Sequence, residues 1–239
     1  MKSTAFSFKK YYLDVYRGIK LENINLEIPK NKTSIVYGSY NSGKTLFLQT
    51  FSRMYEEIYQ KYQNKGEILF KDKNILEYDK YDLRKKVAYL DNNFLNALRY
   101  FKIEELISLH YGERIIFENF SQSYLNILEE LDLLDDLSKL YSKKINFMNN
   151  FTRLKLLIFL SFTSNSEFVI YDNFLDKADD DTVARIFNHI ANNKEKKSYL
   201  ISTRNIKRFL PYADLLLFIK NGKIIYHGDS GGFLNLEET

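Results

Sequence analysis

The chain has 239 residues, 45% of them hydrophobic and 28% charged, with 35 basic residues against 31 acidic ones and a formal net charge of +4. The apolar content is ample for a packed core, and so small a charge imbalance gives no case for nucleic acid as the main partner. There is no cysteine, which excludes disulfides, thiolate metal sites and a cysteine nucleophile.

The amino terminus, MKSTAFSFKKYYLDVY, starts basic but has no apolar core segment, so no secretory signal is expected. No apolar stretch approaches the roughly 20 residues of a membrane helix. Residues Leu21 to Ile28 alternate apolar and polar and stop at Pro29, the pattern of a half-buried strand. After a polar turn, Ser34, Ile35, Val36 and Tyr37 form a second strand that runs into GSYNSGKT, Gly38 through Thr45. This octapeptide fits the phosphate-loop pattern GxxxxGK(S/T). In that pattern the backbone of Gly38, Ser39, Tyr40, Asn41, Ser42 and Gly43 turns N–H groups toward one centre, Lys44 reaches the β and γ phosphates, and the Thr45 hydroxyl ligates Mg²⁺. Leu46, Phe47, Phe51 and Met54 predict a helix over 45–59, with its positive end toward the phosphates.

Residues 66–75 read as a hairpin, 82–86 as a helical turn and 87–90 as a strand. From 93 to 165 strand patterning gives way to amphipathic helical signals at 103–109, 123–134 and 152–162. A helical subdomain over 93–165, inserted in an α/β core, is therefore expected within a single domain of residues 1–239. The core resumes with an apolar strand, Phe168 to Tyr171, ending at Asp172. A helix over 182–191 follows, then strands at 198–202 and 215–219, the last joined by Asn221-Gly222 to 223–226. Strands and helices alternating around a phosphate loop predict an α/β fold with a mainly parallel sheet. His110, His189 and His227 lack ligand spacing, and the basic run 194–197 reads as a solvated loop.

With Asp172 in place, the order of elements resembles the nucleotide-binding domain of ABC transporters over nearly the whole chain. GIKLENINLEIPKNKTSIVYGSYNSGKT is similar to that family's opening sheet and Walker A loop, FVIYD to its Walker B strand, and ADLLLFIKNGKIIYHGD to its closing hairpin. The resemblance implies a P-loop NTPase of ABC type with an antiparallel β part, ATP and Mg²⁺ as cofactors, Thr45 and Asp172 on the metal, and Tyr16 near the position of an adenine-stacking aromatic, where packing is the other reading. It also implies a cytoplasmic subunit, peripheral on the inner face of the membrane and coupled to a separate transmembrane permease.

The departures are as informative as the matches. Asn92 stands where the family carries a glutamine, one methylene longer. Asn173 stands at the general-base glutamate, and a carboxamide has no useful proton affinity near neutral pH. Arg204 falls at the switch histidine and brings a fixed charge in its place. The signature loop aligns with Met148 to Thr152, MNNFT, where Phe151 lacks the conformational freedom of glycine. Asp179 is either the family's D-loop aspartate or, with Asp180 and Asp181, the solvated start of a helix. The resemblance thus implies a pseudoenzyme that keeps the binding half of the machinery and has lost most of the hydrolytic half. It would work as a homodimer or as a heterodimer with an active ABC ATPase; a nucleotide-switched regulator and a scaffold that no longer binds nucleotide remain open.

Overall fold

The first residues, for which sequence pattern gives no strand, form the 11-residue strand β1 (Thr4–Asp14). Its alternation is hidden by a bulge. Lys10 takes a φ of 47°, and the register slips between Phe8 and Tyr11 against one neighbour and between Lys9 and Tyr12 against the other. The structure, a computed structural model, describes residues 4–193 and 195–237. Lys194 of the basic run and the first three residues of the amino terminus lie outside them.

The chain divides into two compact units, one of Met1–Tyr89, Ser166–Asp176 and Asn193–Thr239, the other of Leu90–Asn165 and Lys177–Asn192. After β1 come β2 (Lys20–Pro29), β3 (Thr33–Tyr37), α1 (Lys44–Thr50), α2 (Tyr55–Ile58), β4 (Gln63–Phe70), β5 (Lys73–Asn74), α3 (Lys80–Lys86) and β6 (Val87–Asp91). The helices α4 (Asn92–Ala97), α5 (Ile103–Tyr111), α6 (Gln122–Glu130), α7 (Leu134–Leu140) and α8 (Asn150–Thr163) follow. Then come β7 (Phe168–Asp172), α9 (Asp180–Asn192), β8 (Ser198–Thr203), α10 (Ile206–Phe209), β9 (Leu215–Lys220), β10 (Lys223–Gly228) and α11 (Ser230–Glu237). Helix α9, read from sequence as part of the resumed core, groups with the second unit.

The first unit carries an antiparallel sheet in the order β2-β1-β4-β5 and a six-stranded sheet in the order β10-β9-β3-β8-β7-β6. In the larger sheet β3 pairs in parallel with both β8 and β9, and β7 with β8. Every residue of β7 and β8 is buried, as parallel strands covered on both faces require. Because β3, β7 and β8 run the same way, their carboxyl ends, Tyr37, Asp172 and Thr203, share one edge of the sheet, where ligands of open α/β sheets bind.

Aromatic rings fill the space behind that edge. Phe6 of β1 meets Phe51, just past α1, and Phe168 of β7 at 4.8 Å between centroids, and Phe51 stacks on Phe168 at 5.6 Å. All three are fully buried, each adding about 1.5–3 kcal/mol. The helix predicted over 45–59 is broken here. Arg53 adopts a φ of 57°, and its guanidinium bonds Glu56 and the carbonyls of Ile75 and Tyr78, so α1 ends at Thr50 and α2 restarts at Tyr55.

In the second unit α8 is buried over most of its length. The helix predicted over 123–134 divides at Asp132 (φ 51°), whose backbone and side-chain oxygens both accept from Lys155 Nζ, at 2.9 and 3.1 Å. His189 Nδ1 lies 2.6 Å from Glu130 Oε2 under the stacked ring of Phe162. Among the described residues no helix is long and apolar enough to cross a membrane.

Candidate functional site

The turn from β3 into α1 is Gly38 to Gly43, and its shape depends on left-handed backbone at Asn41 (φ 57°) and Gly43 (φ 103°). Asparagine tolerates that region; at Gly43 a side chain would meet the Cα of Gly222 at 3.2 Å. The turn between β9 and β10 is stapled onto the loop, with Gly222 N–H donating to the Ser42 carbonyl at 2.8 Å and the Gly222 carbonyl accepting from Glu22 N–H at 3.1 Å. Asn221-Gly222, a hairpin signal in the sequence, thus also sets the loop.

Lys44 is 5% exposed, and its Nζ donates to the carbonyls of Gly38 at 2.7 Å and Ser39 at 2.8 Å. Two of three ammonium donors are satisfied by the loop it belongs to, and the third has no acceptor among the described residues. Burial lowers its pKa, opposed by the carboxylates of Asp172 and Asp176 and assisted by the Arg204 guanidinium. The Ser42 hydroxyl is buried without a partner. Thr45, at the start of α1, is exposed on the wall of the same cleft.

That cleft has a volume of about 500 Å³, within the range of small-molecule sites. One wall is the loop from Tyr40 through Leu46; Asn173 and Arg204 enter from the ends of β7 and β8; Val15, Arg17, Ile19 and Tyr59 complete the lining. Gly38 and Ser39 act from behind, through the carbonyls that hold Lys44.

Asp172, at the end of β7, is 4% exposed, and both oxygens of its carboxylate accept hydrogen bonds. Oδ1 accepts from the Ser202 hydroxyl at 2.7 Å and from Asn173 Nδ2 at 2.8 Å, and Oδ2 accepts from the Tyr89 hydroxyl at 2.8 Å. The backbone N–H of Asn173 also donates to Ser202 Oγ, at 2.9 Å. Asp176 is held similarly, by the Thr203 hydroxyl at 2.6 Å and the Arg204 backbone N–H at 3.2 Å, with the Arg204 Nε 3.9 Å away.

Of the residues singled out in the sequence, the structure gathers the loop, Lys44, Thr45, Asn173 and Arg204 around one cleft, with Asp172 behind. Tyr16 does not line it: its side chain is 62% exposed and its hydroxyl donates to Gln63 Oε1 at 3.4 Å. Asn92, Asn149 and Asp179 belong to the second unit. Asn92 opens α4 after the cap Asp91. Asn149 caps α8, its Oδ1 accepting from Phe151 N–H and Thr152 N–H at 2.9 and 2.8 Å, and Asp179 accepts from Thr182 N–H at 2.7 Å at the start of α9.

The ABC transporter family model matches this chain over residues 21–198, three quarters of its length. The chain belongs to the ABC transporter family. Its fold is that family's nucleotide-binding domain. The phosphonates import ATP-binding protein PhnC of Fusobacterium nucleatum subsp. nucleatum is 25% identical, the match covering 88% of this chain and 86% of that protein. Among solved structures, CbiO1 of Clostridium perfringens, part of the ABC transporter complex cbiONQ, superimposes with a TM-score of 0.78 at 18% identity, covering 99% of this chain and 92% of that one. An ATP-bound bacterial Atm1-family ABC exporter gives a TM-score of 0.79 at 13% identity over 99% of this chain, which spans 40% of the exporter chain. At these identities the structural likeness is one of fold.

The site residues fit the nucleotide and metal that the family implies. A buried ammonium with a spare donor, a buried hydroxyl without a partner and a glycine turn where a side chain would crowd its neighbour all suit a phosphate group. Hard oxygen donors suit Mg²⁺. Among the described residues no group of three or more His, Asp or Glu could hold a metal.

The groups beside Asp172 were hard to foresee. Sequence pattern gives Tyr89 and Ser202 only as residues of the strands 87–90 and 198–202. Only the parallel register that sets Asp172 opposite Ser202 explains the latter. Arg17 and Tyr59 carried no motif at all.

Proposed function

We propose that this chain is the ATP-binding subunit of an ABC transport complex, binding Mg-ATP at the phosphate loop and cleaving it weakly or not at all. The observation that carries the reading is the amide of Asn173 at the cleft, bonded to Asp172, in the place of a carboxylate. An amide cannot take a proton from an attacking water near neutral pH. Arg204, beside it, keeps its charge where a histidine would exchange a proton.

The binding functions remain. Lys44 and the loop amides hold phosphate oxygens, Thr45 and Asp172 supply oxygens for the metal, and Arg204 adds a fixed charge. Mg²⁺ held by Thr45 and Asp172 would offset phosphate charge; the chain's own contribution is to position and retain the nucleotide.

As one nucleotide-binding domain with 93–165 as its helical part, the chain would sit on the cytoplasmic face of a membrane against a separate permease. The names of PhnC, an import ATP-binding protein, and of CbiO1, part of a transporter complex, support this. Phe94, Tyr100 and Phe101, exposed in the second unit, offer apolar surface for docking. MNNFT in place of the signature favours a heterodimer with an intact ABC ATPase over a homodimer, whose two sites would both lack base and signature. Mg-ATP affinity and turnover measured on the same purified chain test the reading, and a polytopic membrane protein should accompany it in a pull-down.

A further inference from the structure

Among the groups that hold Asp172, one belongs to no motif. Tyr89 lies on β6, the strand beside β7 in the larger sheet, and its half-buried ring packs against the hydrophobic core of the first unit. Its hydroxyl donates to Asp172 Oδ2 at 2.8 Å. An ionised carboxylate offers about four lone-pair sites. Ser202 and Asn173 take two of them on Oδ1, at 2.7 and 2.8 Å, and Tyr89 takes one on Oδ2. The last, also on Oδ2, has no donor among the described residues. It is the site left for a cation, or for a water molecule that a cation carries.

The two donors on Oδ1 act as a pivot about which the carboxylate plane could still turn. A third donor, on the other oxygen, stops that rotation. Because the Tyr89 ring is held by packing, its hydroxyl reaches Oδ2 from a fixed direction, and the remaining lone pair is fixed with it. The carboxylate does act on the cleft: burial lowers the pKa of Lys44, and the Asp172 charge opposes that shift.

We infer that Tyr89 is a positioning residue for the cation, its hydroxyl fixing the plane of the Asp172 carboxylate so that the free lone pair of Oδ2 serves Mg²⁺ or a water molecule on it. The inference rests on the proposed binding of Mg-ATP at Lys44, Thr45 and Asp172. Groups that orient a metal-ligating carboxylate change metal affinity by about 10- to 100-fold when they are lost. A hydroxyl that only satisfied a buried carboxylate would affect folding or nucleotide binding alike with and without metal.

The test compares the full chain with Tyr89→Phe, which keeps the ring and its packing, with circular dichroism as the check on folding. Affinities are read by displacement of a fluorescent ATP analogue, once with ATP in saturating Mg²⁺ and once with ATP in EDTA. Tyr89→Phe is expected to weaken Mg-ATP by about 10- to 100-fold and to leave metal-free ATP within about twofold of wild type. An equal loss in both conditions overturns the inference, as the mark of a purely structural hydroxyl. Unchanged Mg-ATP affinity also overturns it, and so does a gain, which would show the hydroxyl competing with the cation for Oδ2. A wild-type chain that binds ATP equally well with and without Mg²⁺ removes the metal role of Asp172 and the inference with it. A wild-type chain that binds ATP in neither condition overturns the underlying reading of the phosphate loop, so the two failures are distinguishable.

Discussion

Asn173 Nδ2 donates a 2.8 Å hydrogen bond to Oδ1 of Asp172, the carboxylate that also takes the hydroxyls of Ser202 and Tyr89. The residue at the base position therefore serves its neighbour as a donor. It does so from a left-handed backbone, with φ at 47°, a conformation asparagine adopts far more readily than glutamate.

Asn173→Glu follows from that geometry. The carboxylate restores a proton acceptor, and turnover should rise by at least tenfold, toward the 10²–10⁴ or so attributed to a general base. The same change loses a hydrogen bond, sets a second negative charge beside Asp172 and strains the backbone, costing about 1–2 kcal/mol in urea unfolding. An unchanged rate with ATP still bound would contradict the assignment of this position to the base.

Lys44→Ala removes the ammonium that Gly38 and Ser39 hold over the cleft. Mg-ATP binding should be abolished, with an affinity loss of at least about 100-fold. Stability should change by no more than about 1 kcal/mol, because the variant no longer buries a charge. Unchanged affinity would show that the loop is not used.

Gly222→Ala should disturb the phosphate loop from a distance. The residue sits at φ 73°, and a Cβ there would run into the carbonyl oxygen of Lys20, so the turn must shift and loosen the Gly222 to Ser42 hydrogen bond. Unfolding free energy should fall by about 1–3 kcal/mol, with weaker Mg-ATP binding in the fraction that folds. A variant equal to wild type in both would show that the staple is dispensable.

Lys197 gives a pH dependence. Burial lowers its pKa to about 8 from the ordinary 10.5, so between those values the unfolded chain binds more protons than the folded one. Stability from this group is fully present above about 10.5 and is lost as pH falls through about 8. Lys197→Met should remove the difference: more stable than wild type at pH 7 by about 1–3 kcal/mol, after allowance for partial solvent screening, and converging with it as pH rises toward 10. Parallel stability curves for the two proteins would contradict the burial of this amine.

The fold was legible where local chemistry decides it. The strand into the loop, the GSYNSGKT turn, the FVIYD strand and the Asn221-Gly222 hairpin each depend on a few adjacent residues, and each stands where its pattern places it. The alternation of β1 is broken by its bulge at Lys10, and α1 is shorter than its apolar spacing predicts because Arg53 ends it through bonds to residues 22 and 25 positions away. At the site, Lys44, Thr45, Asn173 and Arg204 were recognisable by their spacing from the motifs. Tyr89, Ser202, Arg17 and Tyr59 reach the cleft or Asp172 only through strand register and turn geometry, which no local pattern encodes.

Calorimetry with Mg-ATP, followed by a turnover assay on the same sample, tests most directly whether the nucleotide is retained without being cleaved. Saturable binding is expected, with a turnover at least about 10²-fold below the 1 per second or so of an ordinary enzyme. Steady hydrolysis near about 1 per second would contradict the loss of the base, and no detectable binding would contradict the phosphate site itself.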